Sequence, residues 1–357
     1  MHLTLLAIDW AFIIEKAALI SVIIGVSLVI AMYETYAERK VAGFIQDRLG
    51  PNRAGPFGIL QPLADGLKLF MKEEIVPNTS NKFLFVIGPG LAMLTAMMTS
   101  AVIPWGSDLS FTFNGVERTI PLQVADINIG ILFVFGVVSM GVYGIMIGGW
   151  ASNNKFSLMA ALRGASQVIS YELPMGLSLI ALLMLTGSLS MKTIVGQQID
   201  TWYNVLYQPL GFFIFLVCAF AECNRTPFDL PEAESELNFG YHQEYSSMKL
   251  GFYLFAEYIN MFISSVIMAT LFWGGYDIPF VKDIALGEAI GGNWLALLQV
   301  LSLLLKTCMF IFFFMWVRWT IPRFRYDQLM NLGWKGLIPL ALVNMIITGA
   351  VVLWLKK

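Results

Sequence analysis

The chain is poor in the residues that usually bind metals. Among 357 residues it has three cysteines and two histidines, and the cysteines form no C-x-x-C pair. Iron–sulfur clusters, structural zinc and bis-histidine haem all need more ligands than this. We therefore expect no metal or covalently bound cofactor in this chain. The patterns G-x-G-x-x-G and G-x-x-x-x-G-K-[ST] are also missing, which argues against nucleotide binding.

Charge is scarce as well. Charged residues make up 13% of the chain and hydrophobic residues 57%, which is too little charge for an ordinary soluble surface. No alternating strand pattern of a membrane β-barrel is visible, and the N-terminus lacks the basic region of a signal peptide. A bilayer core needs about 20 apolar residues per helix, and eight runs meet that need. They are roughly 11–33, 83–103, 125–150, 165–187, 204–221, 251–273, 294–317 and 336–355.

These runs predict an all-α polytopic membrane protein, with residues 1–357 forming a single membrane domain. Of the 22 lysines and arginines, 15 lie in the loops after spans 1, 3, 5 and 7, so these loops should face the cytoplasm and both termini the other side. The inner loops are about 34–82, 151–164, 222–250 and 318–335. Residues 60–71 have leucine and phenylalanine on one face and polar side chains on the other, which predicts an amphipathic surface helix after the first span.

Several ionisable residues fall inside the apolar runs, where charge is costly. Glu172 in span 4 and Glu257 in span 6 lie at similar depths in the cytoplasmic half, and Lys306 lies near the middle of span 7. Each has a structural explanation: Lys306 as a buried cation beside a carboxylate, the glutamates as hydrogen-bond partners. The shared depth of Glu172 and Glu257 favours a proton pathway, in which we include Lys306. Glu15 and Lys16 lie near the outer end of span 1, where an interfacial pair costs little.

A quarter of the 24 acidic residues fall in one stretch, AECNRTPFDLPEAESELNFGYHQEY, which we name the acidic segment (residues 221–245). A solvated surface is one explanation. However, Glu222 ends span 5 and Glu257 follows in span 6, so the segment could lead from the inner surface toward the membrane. Crowded carboxylates repel one another and hold protons near neutral pH. Its acids are Glu222, Asp229, Glu232, Glu234, Glu236 and Glu244.

Five long stretches in this order resemble one family: AERKVAGFIQDRLGPNRAGPFGILQPLADGLKLFMKE, SYELP, AECNRTPFDLPEAESEL, EYSSMKLGFYLFAEY and IPRFRYDQLM. They are similar to signature stretches of one core membrane component of respiratory complex I (NADH:quinone oxidoreductase), the bacterial H subunit, found where the peripheral and membrane arms meet. The resemblance covers nearly the whole chain. His242 lies outside the matched blocks, so its role stays open.

The resemblance implies that the chain forms much of a quinone chamber, ubiquinone being a typical substrate, and starts a proton path coupled to quinone reduction. The implied proton-path residues are Glu38, Asp65, Glu172, Glu222, Glu232, Glu234, Glu236, Glu244 and Glu257. The implied quinone-binding residues are Arg39, Gln46, Arg225, Asp229, Phe252, Arg318 and Arg323. The iron–sulfur cluster and flavin would belong to partner subunits, so the isolated chain should have no activity.

The implied partners are the peripheral cluster-bearing and quinone-site subunits, small membrane subunits, quinone and lipid, with no nucleic acid. The implied location is the bacterial inner membrane. Two alternatives stay open: an anchoring subunit of a related membrane-bound hydrogenase, and a proton-coupled secondary transporter. Transporters often carry internal repeats with broken helices, and no repeat is visible here. Arg39 and Gln46, within a complete motif block, favour the quinone enzyme over the hydrogenase.

Overall fold

The computed structural model describes residues 10–113, 116–199, 203–281, 283, 287 and 291–355. Its helices are α1 (Trp10–Ile45), α2 (Gln61–Met71), α3 (Lys82–Thr99), α4 (Gly130–Ala151), α5 (Lys155–Thr186), α6 (Met191–Gln198), α7 (Asn204–Tyr207), α8 (Pro209–Glu222), α9 (Glu234–Leu237), α10 (Ser247–Phe272), α11 (Gly292–Thr320), α12 (Tyr326–Asn331) and α13 (Ile338–Leu355). A π-helical turn at Leu332–Leu337 joins α12 to α13. Short 3-10 turns lie at Pro56–Gly58, Ser100–Val102 and Gly240–His242.

Seven helices in the described ranges are long and apolar enough to cross a membrane: α1, α3, α4, α5, α10, α11 and the continuous stretch from α12 to α13. This confirms the all-α polytopic fold. The predicted fifth span is shorter than expected, because α8 has only 14 residues and measures about 21 Å. The helical path is interrupted at Gln208, and α8 begins at Pro209. The Gln208 amide donates to Thr348 Oγ1 of α13 at 2.6 Å, which holds the break inside the bundle.

Two spanning helices extend well beyond the apolar runs. Helix α1 continues from the predicted end near residue 33 to Ile45, and α5 begins at Lys155, ten residues before the predicted start. The added residues 34–45 include alanine, glutamate, arginine and lysine, which are good helix formers. Charge ends an apolar run without ending the helix. The extension of α1 therefore carries Glu34 and Glu38 along a buried face of the bundle.

Helix α10 lies at the centre of the bundle and packs against α1, α3 and α11. Its buried side chains include Phe262, Val266 and Met268. Helices α3 and α4 approach closely because small residues face each other there, as is common between membrane helices. A Cβ atom added at Gly144 would lie 2.9 Å from the backbone nitrogen of Ala92. A larger residue at position 144 would therefore force these two helices apart.

The two ends of the bundle differ. At the end that carries the acidic segment, which we name the acidic end, α2 forms the amphipathic helix, with Leu63, Leu67 and Phe70 exposed. At the other end, the hairpin end, β1 (Leu109–Phe113) pairs antiparallel with β2 (Val116–Ile120). The side-chain amide of Asn293, at the start of α11, donates to the carbonyl of Ser110 at 2.7 Å. Sequence reasoning did not predict this hairpin.

Candidate functional site

Glu38 is the centre of a buried charge cluster at the acidic end. It lies on the extension of α1, and its carboxylate accepts a hydrogen bond from the hydroxyl of Tyr258 on α10 at 2.9 Å. It forms an ion pair with Arg318 at the end of α11, and Arg225 Nη1 lies 3.7 Å from Glu38 Oε2. The Arg225 guanidinium stacks 4.2 Å above the Tyr258 ring. The cluster thus joins α1, α10, α11 and the acidic segment through one hydrogen bond to a carboxylate and through ion pairs with two arginines.

Glu34 is a member of this cluster that sequence reasoning missed. It lies one helical turn before Glu38, is 3% exposed, and neither of its carboxylate oxygens has a hydrogen-bond partner among the described residues. The charges of Arg225 and Glu38 act on it. The spacing of four residues between Glu34 and Glu38 was the available signal, since such residues share a helix face. The first apolar run ends at residue 33, so Glu34 was assigned to the following loop and its place on the buried helix face was overlooked.

A second group of carboxylates continues from the acidic segment into α10. The hydroxyl of Tyr241 donates to Glu257 Oε1 at 3.0 Å, and Glu257 also shares a hydrogen bond with Glu232. Two carboxyl groups can share a hydrogen bond only when one of them is protonated. Burial raises the pKa of Glu232, but His242 and Arg225 outweigh this effect, so the pKa of Glu232 lies below its usual value. In this pair Glu232 is therefore the ionised partner.

Asp229 provides a group that titrates close to neutral pH. Its Oδ2 lies 2.6 Å from Arg323 Nη2. Burial and the nearby charge of Glu232 raise the pKa of Asp229 to about 6, although Arg323 opposes the shift. Asp229 and Glu232 thus occupy neighbouring positions in one loop but ionise in different pH ranges, because Glu232 has His242 and Arg225 as well. Such a pair can exchange a proton between its members.

Two small cavities connect the acids of the spanning helices. One, of about 30 Å³, is lined by Glu172 and Glu222 together with apolar residues. The other has the same volume and is lined by Glu222, Glu257 and Tyr241 among others. Each is large enough to hold a water molecule, which needs about 10–15 Å³. Glu172 also accepts a hydrogen bond from Ser139 of α4. The three glutamates that we placed in one pathway therefore line two adjoining cavities that share Glu222.

Other predicted residues lie at the surface, away from this network. Asp65 pairs with Arg39 at 2.6 Å, both partly exposed, and Gln46 accepts from Arg48 at 2.7 Å on the exposed end of α1. The remaining acids of the segment also have partners elsewhere: Glu236 pairs with Arg163 at 2.5 Å, and Glu244 accepts from Asn154 at 2.8 Å. The side chain of Glu234 lies outside the described part of the chain.

Phe252 and Lys306 are also separate from the network. Phe252 is partly exposed and lines an apolar cavity of about 490 Å³ between α1 and α3. Lys306 lies on α11 toward the hairpin end, where its ammonium contacts the turn after α10. The quinone-site candidates thus divide into a buried set (Arg225, Asp229, Arg318, Arg323) and a surface set (Arg39, Gln46, Phe252). Among the described residues, no group of three or more His, Cys, Asp or Glu is arranged to hold a metal.

Helix α2 is tied to the start of α10. The hydroxyl of Ser247 donates to the carbonyl of Leu69 at 3.1 Å, and the hydroxyl of Ser246 accepts from the backbone nitrogen of Ile75 at 2.9 Å. Lys249 forms an ion pair with Glu74. These contacts place the amphipathic helix against the helix that carries Glu257.

Comparison with known proteins agrees with the resemblance. A family described as NADH dehydrogenase matches residues 17–349. An NADH-quinone oxidoreductase H subunit of Cytophaga hutchinsonii is 64% identical over 342 residues, covering 96% of this chain and 98% of the relative. The H subunit of Flavobacterium johnsoniae is 63% identical over 343 residues, 96% of each chain. NADH-quinone oxidoreductase subunit 8 of Rhodothermus marinus is 48% identical over 331 residues, covering 91% and 93%. The chain therefore belongs to the family of NADH-quinone oxidoreductase H subunits and is a membrane subunit of such an enzyme.

Proposed function

We propose that this subunit forms the quinone-binding chamber of its enzyme and the entry of a carboxylate-lined proton path. The observation that carries the proposal is the contact network at the acidic end. It runs from Glu38 and Arg225 to Glu232 and Glu257, and two small cavities extend it to Glu222 and Glu172. The proposed path residues are these five glutamates, with Asp65, Glu234, Glu236 and Glu244 nearer the surface.

The quinone head group is proposed to bind beside the basic members of the network. Arg39, Gln46, Arg225, Arg318 and Arg323 supply donors for its carbonyl oxygens, Asp229 adds a donor when it is protonated, and Phe252 contacts its apolar part. The apolar cavity of about 490 Å³ between α1 and α3 suits a polyprenyl tail, because Met97, Ile24 and Phe252 line it. Electrons come from an iron–sulfur cluster in an adjoining peripheral subunit, and NADH and flavin chemistry belongs to further partners.

The coupling step is proposed to be electrostatic. Reduction of a quinone to a quinol takes up two electrons and two protons, and negative charge develops near the acidic end when the electrons arrive before the protons. Asp229, with a pKa of about 6, and the Glu232–Glu257 pair lie where this charge is felt most strongly. A buried, low-dielectric site transmits such a charge change further than water does. When the quinone draws protons from the Glu232–Glu257 pair, Glu222 and Glu172 change their protonation in response, through the two cavities.

The proposed location is the bacterial inner membrane, with the acidic end in the cytoplasm and both termini on the opposite side. The distribution of lysine and arginine supports this orientation. Four inner loops then meet the peripheral subunits, and the exposed apolar face of α2 lies on the lipid surface.

The proposal is tested with Glu222→Gln and Glu257→Gln in the assembled enzyme, reconstituted in liposomes. Quinone reduction and proton pumping should fall together in both variants, because each removes a proton-carrying group from the network. Asp327→Asn is the matched control, since this carboxylate lies at the same end but is exposed and pairs with the equally exposed Arg325 at 3.8 Å. If both glutamine variants kept both rates of the parent enzyme, the proposal would be refuted.

A photoreactive quinone analogue gives an independent test of the chamber. It should label peptides from α1 and α10 in the intact enzyme, and an excess of unmodified quinone should suppress the labelling. Labelling confined to other helices would separate the quinone site from this network.

A further inference from the structure

Lys306 occupies a second buried site, at the opposite end of α10 from the carboxylate network. Its ammonium donates to the carbonyls of Trp273 at 2.7 Å, Gly275 at 2.9 Å and Asp277 at 2.7 Å. An ammonium carries three hydrogens, so these three acceptors use all of them. The side chain is 8% exposed, and its nitrogen lies 5.0 Å from the centre of the Tyr203 ring.

These three hydrogen bonds hold the proton on Lys306, so this residue is not arranged to act as a proton carrier. A proton carrier must release its proton to an acceptor that can take it, and a backbone carbonyl accepts a hydrogen bond without taking the proton. Loss of the proton would also weaken the bonding of three buried carbonyls. The turn that supplies them is itself held, because Gln198 Oε1 accepts from the backbone nitrogen of Gly274 at 3.1 Å.

Two buried carboxylates lie close enough to attract the ammonium charge. Asp277 and Asp283 are each 5% exposed, and both attract the Lys306 charge. Gln299 donates to Asp283 Oδ2 at 2.7 Å, and Ser302 donates to the carbonyl of Asp277 at 2.9 Å. The site is thus a fixed arrangement of charges on α11 and the turn after α10.

Along α10, a layer of apolar side chains lies between this site and the carboxylate network. From Glu257 to Phe272, α10 rises about 22 Å, and Phe262, Val266 and Ile267 are buried along it. Beyond Ser264, the hydroxyls on α10 are those of Ser265 and Thr270. Both donate to carbonyls of α10 itself, at 2.8 Å and at 2.9–3.0 Å. Along this stretch of α10, the hydroxyls are therefore committed to the helix and give no route for a proton.

We propose that Lys306 and the apolar layer form a proton barrier that closes the hairpin half of this subunit. A fixed positive charge in a low-dielectric region repels protons and other cations, as arginines do in selective pores. The barrier keeps protons that enter the carboxylate network from crossing this chain directly to the other side, which would dissipate the gradient. The inference rests on the proposed function in that it takes the carboxylate network as the proton-carrying side.

The test measures passive proton leak in liposomes containing the assembled enzyme, without NADH or quinone. An enclosed pH-sensitive dye follows the internal pH after an external pH jump, and flavin content gives the number of assembled enzymes. Lys306→Met should raise the leak per enzyme by about tenfold, because it removes the repelling charge, and Lys306→Gln should do the same. Lys306→Arg keeps the charge and should stay near the parent value. Leu305→Met, at a mostly exposed neighbouring position, controls for altered packing at the lipid surface.

The outcomes decide between a barrier and a purely structural lysine. Leak in the methionine and glutamine variants but not in the arginine variant supports the barrier. Parent-like leak in both neutral variants overturns it, and so does their failure to assemble, which would make Lys306 a group needed only for folding. Because no turnover occurs in this assay, its result is independent of the Glu222 and Glu257 variants, whose failure would count against the proposed function alone.

Discussion

Removal of Arg225 gives the sharpest test of the buried charge cluster. This guanidinium lies 3.7 Å from Glu38 Oε2 and its charge also acts on Glu232. At an effective dielectric constant of about 20, the 3.7 Å contact corresponds to about 4.5 kcal/mol of Coulomb energy. Glu38 keeps Tyr258 and Arg318, so Arg225→Met should cost about 3 kcal/mol of stability, at the lower end for a broken buried pair.

The same variant should change the pH dependence of quinone reduction. Arg225 helps to hold the pKa of Glu232 below its usual value, so the ionised form is kept as the pH falls. Without Arg225 that pKa rises, and Glu232 takes up its proton at a higher pH. The acid limb of the activity profile should therefore move to higher pH.

The assay is NADH:quinone reductase activity of the assembled enzyme in uncoupled membrane vesicles, over about pH 4 to 8, a range that begins near the ordinary pKa of a glutamate. An electron acceptor that takes electrons before the quinone site serves as the control for assembly. Arg225→Lys keeps the charge but loses the planar stacking on Tyr258. The acid limb of this variant should therefore lie between those of the parent and Arg225→Met. An assembled Arg225→Met enzyme with the parent acid limb would refute the electrostatic reasoning.

Three further substitutions test single contacts. The pKa of Asp229 is raised to about 6, so its contribution to stability is present at low pH and lost as the pH rises through 6. The denaturation temperature of Asp229→Asn, measured relative to the parent, should therefore be higher at about pH 8 than at pH 5. An equal difference at both pH values would contradict this. Tyr241→Phe removes the 3.0 Å hydrogen bond to Glu257 and should lower reduction and pumping together by about five- to tenfold, whereas a fall in pumping alone would oppose it. Glu34→Gln replaces a buried carboxyl group, which lacks a hydrogen-bond partner among the described residues, with an amide that cannot ionise. It should raise the denaturation temperature of the enzyme by a few degrees; a lower denaturation temperature would show that Glu34 has a stabilising role.

Apolar runs predicted the spanning helices well because lipid demands a stretch of fixed length. They failed where a helix continues past the lipid: the good helix formers of residues 34–45 extend α1, and this is why Glu34 was overlooked. They also failed at Gln208, because the break before α8 depends on hydrogen bonds to Asn344 and Thr348 of α13. Contacts between residues so far apart in the chain leave no local pattern.

The candidate site was predictable where a carboxylate lies in an apolar run, as with Glu172 and Glu257, since burial of a charge demands a reason. The division of the quinone-site candidates into a buried and a surface set was not predictable, because it depends on which side of α1 faces α10. Lys306 shows the limit most clearly. Its depth in the membrane could be counted from the sequence, but its three carbonyl partners lie about thirty residues away in a turn.

The ties between α2 and the start of α10 have a consequence for how the enzyme senses its lipid. The apolar face of α2 is proposed to lie in the membrane surface. Ser247 bonds to Leu69 of that helix, and Ser246 and Lys249 contact Ile75 and Glu74 just after it, so this part of the chain is fastened to the start of α10, about ten residues before Glu257. A change in headgroup packing or bilayer thickness that lifts or tilts α2 therefore pulls on the helix that positions Glu257. Lipid composition should then alter turnover even when quinone is saturating, and detergent that strips the annular lipid should act on this carboxylate before the fold is lost.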